Sequence, residues 1–270
     1  MDSKRPCGLH QNHPELRFAE ALQFVLGHPF DWEILNVSVG NCESYRVRPR
    51  PKGAPAIRMQ PPIGFMIHTH FAEFWTLFKK YLDHIWAYDE DGWHPVSRRV
   101  LSLQHGMSGL WPIRMLTAGV EVEGLLNDQY SSKMPPPEAM VETVNSLLEL
   151  IGDAIKVGRK LDAHSIERVK SSLGLLKSSS SAKNRLLALA AESIVRNGDV
   201  EAWEYVRNKA AHAVASETEI SQDNFVRLDK VLVLFYHLIF NLIGYSGAYT
   251  DYGEFGFPTK QYPPVTPESP

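Results

Sequence analysis

Cysteine is scarce in this chain: Cys7 and Cys42 are the two among 270 residues. That is too few for a disulfide framework or a cysteine-based zinc site, and a reduced, cytoplasmic setting is the simplest expectation. Long hydrophobic runs are also missing. The longest, Val231 to Ile243, is interrupted by Tyr236, His237 and Asn241 and is too short to span a bilayer. The N-terminus has no apolar core of signal-peptide length, so no membrane partner is expected. Neither sign of charge dominates: the formal net charge is −3 and the pI about 6.4, which argues against a generally basic, nonspecific nucleic-acid binder. There is no P-loop, no dinucleotide fingerprint, no serine or cysteine nucleophile elbow and no repeat at a solenoid period. His68 and His70 invite a metal reading, but no carboxylate completes a known ligand spacing and turn or capping roles fit them better. No cofactor and no metal are expected.

What is present is an ordinary apolar fraction of 44% with 22% charged residues, enough for a real core. Residues 1–64 read as a small mixed α/β segment. A short helix from Glu15 to Gly27 carries Leu16, Phe18, Ala19, Leu22, Val25 and Leu26 on its apolar side. Two short strands, Trp32 to Val39 and Glu43 to Arg48, flank a Gly40-Asn41 turn signal, and Pro49 to Pro62 forms a proline-rich loop. Residues 65–109 read as linking helices, beginning with the aromatic-rich His70 to Tyr88. Helices over 110–130, 138–160, 165–177, 182–197, 200–216 and 223–244 follow with short connections, as in an antiparallel bundle. Ser181 is placed to cap one helix; Asn197-Gly198 is placed to end that helix and Asp199 to cap the next. The segment from Gly244 on, with 251–270 as an irregular C-terminal tail, is expected to lie over the bundle with Tyr249, Tyr252, Phe255 and Phe257 as anchors. The fold class is therefore mainly α.

Charge is distributed unevenly. Residues 151–215 hold 11 Lys/Arg against 7 Asp/Glu, whereas 1–150 hold 14 against 17 and 216–270 hold 3 against 7. The one net-basic stretch contains Arg207-Asn208-Lys209-Ala210-Ala211-His212. Imidazole moves protons near neutral pH and guanidinium engages two phosphate oxygens, which together are a metal-free kit for cutting RNA. The ribose 2′-OH attacks the adjacent phosphate while a base takes its proton and an acid protonates the leaving 5′ oxygen. A cation stabilises the phosphoryl oxygens. His212 suits either proton role, Arg207 the cation, and Asn208 an orienting role; Lys209 is a candidate RNA contact. Glu192 or Glu204 is placed to tune His212 or pair with Arg207. On a straight helix Asn208 and His212 lie about 40° apart, but Arg207 and His212 about 140° apart. One copy therefore converges Arg207 and His212 poorly, and a two-fold dimer with the groove at its interface is expected. Against this stands the plain alternative of an ion-paired arginine and a tolerated helix histidine, in a helical module that binds RNA or protein, or serves only as a structural interaction domain.

The segment AWEYVRNKAAHAVA, the preceding ESIVRNGD, the apolar VLVLFYHLIFNLIGYSGAY and the ending TDYGEFGFPTKQYP resemble the ApeA-like branch of HEPN domain proteins, over roughly Leu110 to Pro264. The N-terminal FAEALQFVLGHPFDWEIL also resembles the region upstream of HEPN in that family. The resemblance implies a HEPN-type four-to-five-helix bundle over 110–250, dimerisation and metal-independent endoribonuclease activity. It implies that Arg207, Asn208 and His212 match the family motif. It further implies anti-phage, abortive defence in which host RNA, with tRNA a candidate, is cut after a phage-derived trigger is sensed. Family members often carry a longer N-terminal domain, so a shortened member or a fragment is expected.

Overall fold

The computed structural model describes residues 14–30, 32–39, 42–47, 59–64, 70–88, 90, 92–130, 136–157, 162–178, 181–211 and 221–263. Among these residues there are nine helices and two small hairpins: α1 Pro14–Leu26, β1 Ile34–Val39, β2 Cys42–Val47, α2 Phe71–Trp86, α3 Pro95–Met107, α4 Trp111–Tyr130, α5 Glu138–Lys156, α6 Ala163–Ser178, α7 Ala182–Ala191, α8 Asn197–Ala211, α9 Gln222–Ile243, β3 Gly247–Thr250 and β4 Thr259–Tyr262. The mainly α expectation holds.

α9 is the axis of the core. Every residue from Val231 to Phe240 is buried, so this helix is apolar around its whole circumference and needs partners on all sides. It begins at Ser221, whose side chain accepts from the Asn224 amide, and ends at Gly244 with φ 62°, the left-handed stop that glycine adopts without penalty. α4 and α8 pack along it, α3 returns antiparallel to α4, and α1 packs on α2. A single apolar cluster runs from Ala21 and Phe24 on α1 through α2, α3, α4 and α9 to Tyr262 on β4. α5 and α6 pack chiefly on each other. α5 buries only Val144, which leaves Leu147, Leu150 and Ile155 exposed.

Three local readings need correction. α1 buries Arg17, Glu20 and Gln23, while Phe18 is exposed. Arg17 and Glu20 form a salt bridge of 2.7 Å, and Arg17 also donates to the Gly92 carbonyl at 2.8 Å. Polar side chains go inside here because α3 supplies their partners: the Ser97 hydroxyl and the His94 amide both donate to Glu20. α7 stops at Ala191 rather than at Asn197. Ser193 takes φ 58°, Asn197-Gly198 opens α8, and Asp199 is a buried ion-pair partner of Arg196 rather than the cap. The tail from Gly247 is an antiparallel hairpin, with Gly247 opposite Tyr262 and Thr250 opposite Thr259. Tyr249 and Tyr252 are anchors as expected, but Phe255 and Phe257 point to solvent. Arg196 bonds both Asp199 and Asp251, and Lys260 also reaches Asp251, so the hairpin is tied to the α8 start by charge.

Elsewhere the agreement is close. Ser181 caps α7 by accepting from the Asn184 amide at 3.1 Å. The first hairpin pairs Val39 with Cys42, and the Gly40-Asn41 turn signal lies outside the described residues. His70 sits just before α2, and His68 lies outside the described residues.

Candidate functional site

α8 presents its apolar positions inward: Ala202, Trp203 and Val206 are at most 3% exposed. The indole of Trp203 donates to the Gly119 carbonyl of α4 at 3.1 Å. The two helices come close at Gly119, where a Cβ would lie 3.3 Å from the Arg207 Cα. This close approach puts Arg207 directly over α4. Its Nε donates to Glu123 Oε2 at 2.9 Å, and Nη2 reaches Oε1 at 3.5 Å. The Glu123 carboxylate holds the guanidinium more firmly in its charged form, first through the hydrogen bond and then through charge. Both side chains remain substantially exposed, at 46% and 34%, so the pair is a geometric clamp more than a source of stability.

A polar cleft of about 390 Å³ opens between α4, α7 and α8, lined among others by Glu123, Asn127, Lys183, Arg185, Arg207 and Asn208. Lys183 pairs with Glu204 of α8 at 2.6 Å. Arg185 is only 3% exposed. It donates to the Leu126 carbonyl at 2.7 Å and to Asn127 Oδ1 at 2.6 Å. Both acceptors are neutral, and burial lowers its pKa from the ordinary arginine value. Its Nε has no hydrogen-bond partner among the described residues. The cleft therefore gathers three cations, Lys183, Arg185 and Arg207, against the carboxylates of Glu123 and Glu204.

Arg207 and Asn208 thus share one cleft. Lys209 does not: its ammonium donates to the Tyr205 hydroxyl at 3.1 Å, on the α9 side of α8. There Arg227 stacks over the same Tyr205 ring at 4.2 Å. His212 lies outside the described residues, one position beyond the last described residue of α8. Glu204 pairs with Lys183 rather than with Arg207, and Glu192 is the exposed C-cap of α7. The partner that sequence reasoning missed is Glu123, 84 positions upstream; no local pattern marks it, because only the α4–α8 contact brings it to Arg207.

The chain matches no family model, no curated protein and no solved structure. Among the described residues, no three His, Cys, Asp or Glu side chains gather as a metal site, and no helix is long and apolar enough to cross a membrane.

Proposed function

We propose that this cleft is an RNA-cutting groove and that the chain is a metal-independent endoribonuclease of HEPN type. The observation that carries the reading is the shared placement of Arg207 and Asn208 in a cleft with Lys183 and Arg185. Glu123 engages Arg207 through Nε and one Nη2 hydrogen. Three of the five guanidinium N–H donors are then left for a phosphate. A carboxylate that grips the guanidinium from the side orients it without blocking the fork.

In this mechanism His212 takes the proton of the ribose 2′-OH. The 2′ oxygen bonds to phosphorus and the bond to the 5′ oxygen breaks. The leaving oxygen is protonated by the second histidine of a dimer or by water. Arg207 stabilises the charge on the non-bridging oxygens. The products are a 2′,3′-cyclic phosphate and a 5′-hydroxyl, and DNA is immune because it lacks the 2′-OH. Dimerisation is part of the proposal. Ile113, Leu116 and Val120 of α4 are about half exposed, and helix geometry puts them within about 80° of one face together with Glu123 and Asn127. An exposed apolar stripe that runs into the cleft is the surface through which a second copy would complete it. A role in anti-phage defence, with a phage-derived trigger and cytoplasmic host RNA or tRNA as target, rests on the family resemblance alone.

A second reading is a non-catalytic RNA- or protein-binding module, favoured by the neutralisation of Arg207 by Glu123. Incubating RNA in EDTA with wild type, His212→Ala and Arg207→Ala separates the two. Cleavage to cyclic-phosphate ends, reduced roughly 100-fold or more in both variants, is the expected result. Undiminished cleavage by His212→Ala overturns the mechanism, and RNA binding without cleavage by wild type selects the binding module.

A further inference from the structure

A second cleft, of about 560 Å³, opens at the other end of α4, between the starts of α4 and α9, the ends of α1 and α3, and residues 59–61. Its volume is that of a small-ligand pocket. It is independent of the groove above: Trp111, which lines it, precedes Glu123 by twelve residues, or about 18 Å of helix. The 59–61 segment is pinned as one wall. Met59 donates its amide to Gly27 at 2.8 Å, Tyr236 donates its hydroxyl to the Gln60 carbonyl, and Tyr252 does the same to Pro61 at 2.8 Å.

The floor is apolar, with Met59, Trp111 and Leu228 at most 9% exposed. The Trp111 and Phe225 rings meet at 4.4 Å with a 51° tilt. The two rings form an aromatic corner, with Trp111 buried and Phe225 at the mouth, still 36% exposed.

Two charges in this pocket are badly placed for stability. Asp229 accepts one long bond, from Gln60 Nε2 at 3.3 Å, and no ion pair reaches it among the described residues. Burial in apolar surroundings pushes its carboxyl up to about 6. It lies two turns into α9, too far from the N-terminus for the helix dipole to help. Arg114 lies in the first turn of α4, where a cation opposes the helix dipole. Its Nε donates to the Gly109 carbonyl at 2.8 Å, and neither Nη carries a hydrogen bond to a described residue. A half-buried carboxylate with one long protein hydrogen bond and a guanidinium that opposes the helix dipole, beside an aromatic wall, together point to a ligand that engages both.

The ligand needs a flat ring, an N–H-donating edge and an anionic group. A simple organic cation fails because Arg114 lines the same pocket. An adenine edge offers a carboxylate one donor group beside an acceptor, whereas a guanine edge offers two parallel donors, N1–H and the 2-amino group. We propose that this cleft binds a free guanine mononucleotide, with the base against Trp111 and Phe225, its donor edge on Asp229 and its phosphate on Arg114.

The test is calorimetry and thermal shift on the full chain at pH 7.5 with guanosine 5′-monophosphate, inosine 5′-monophosphate, adenosine 5′-monophosphate, guanosine and a short guanine-containing RNA. Guanosine monophosphate is expected to bind and raise the Tm, and the inosine nucleotide, which lacks the 2-amino group, to bind at least tenfold more weakly. The adenosine nucleotide is expected not to bind. Arg114→Gln should weaken the nucleotide more than the nucleoside. Asp229→Asn keeps one acceptor and gains a donor, so it should lose guanosine monophosphate at least tenfold and gain xanthosine 5′-monophosphate. A merely structural aspartate does not produce that exchange. Equal affinity of wild type and Asp229→Asn for guanosine monophosphate overturns the proposal. So does the absence of a Tm shift at millimolar nucleotide, and so does binding of the RNA without binding of the mononucleotide.

Discussion

His237 is the residue whose chemistry is most at odds with its place. It is fully buried on α9, among the rings of Tyr249 and Tyr262 at 4.6 and 5.0 Å. Neither ring nitrogen has a hydrogen-bond partner among the described residues. Burial lowers its pKa from 6.5 to about 3, with Arg196 adding a smaller push in the same direction. The imidazole is therefore neutral in the fold, while the unfolded chain takes up a proton below about 6.5. Its contribution is fully present above that pH and is lost as the pH falls towards 3. His237→Leu conserves the shape and removes both nitrogens. It is expected to be at least as stable as wild type at pH 7.5 by urea unfolding. Between pH 7.5 and 4.5 the wild type should lose about 2–3 kcal/mol more than the variant. A variant with the same acid sensitivity would show that His237 is not the group responsible. That His237 belongs to the core is legible in sequence, because it interrupts an apolar run. The burial of Arg17 and Glu20 is not, because their partners Gly92, His94 and Ser97 lie just before and at the start of α3, more than 70 positions away.

Helices are the most legible elements, since hydrophobic period is written locally; their ends are less so, as Asn197-Gly198 opens α8 instead of closing α7 and Asp199 pairs with Arg196 instead of capping. Ser181 caps α7 where the pattern puts it, and α9 stops at Gly244, where its expected range ends. The strands of the C-terminal hairpin are four residues each, too short for a period to declare itself. The groove's geometry is equally hidden, because it depends on Gly119 admitting α8 against α4. A branched side chain there must displace the Arg207 backbone. Gly119→Val is expected to destabilise the protein by roughly 1–3 kcal/mol and, by separating Arg207 from Glu123, to lower RNA cleavage with it. Gly152 on α5 is the contrasting case, since a Cβ there meets nothing within 4 Å. Gly152→Ala should gain about 0.5–1 kcal/mol from helix propensity alone. Denaturant unfolding of the two variants should move in opposite directions; equal shifts would mean that the α4–α8 approach is not tight.

At the scale of the molecule, the surface left open by folding bears on function more than the core does. Among the described residues a continuous apolar cluster is buried, yet Ile113, Leu116 and Val120 are left about half exposed in a line on α4. That line ends at Glu123, which holds Arg207. Two copies meeting along this stripe would bring two Arg207-bearing grooves to one seam, which answers the 140° separation of Arg207 and His212 on a single helix. The stripe cannot be read from sequence alone. α4 also buries Met115, Ala118 and Val122, so it is apolar on several sides, and only its packing shows which side remains uncovered. A charge on this stripe leaves the core intact and opposes a like charge from its two-fold mate. Val120→Lys is therefore expected to keep the helical circular dichroism and the Tm of wild type within about 2 °C. In sedimentation it should shift the protein from dimer to monomer, and RNA cleavage should fall with the dimer fraction rather than with any change in Arg207. Cleavage that survives in a monomeric Val120→Lys protein would place the whole active site within one copy. A wild type that is already monomeric at assay concentration and still cleaves RNA would remove the stripe from the mechanism.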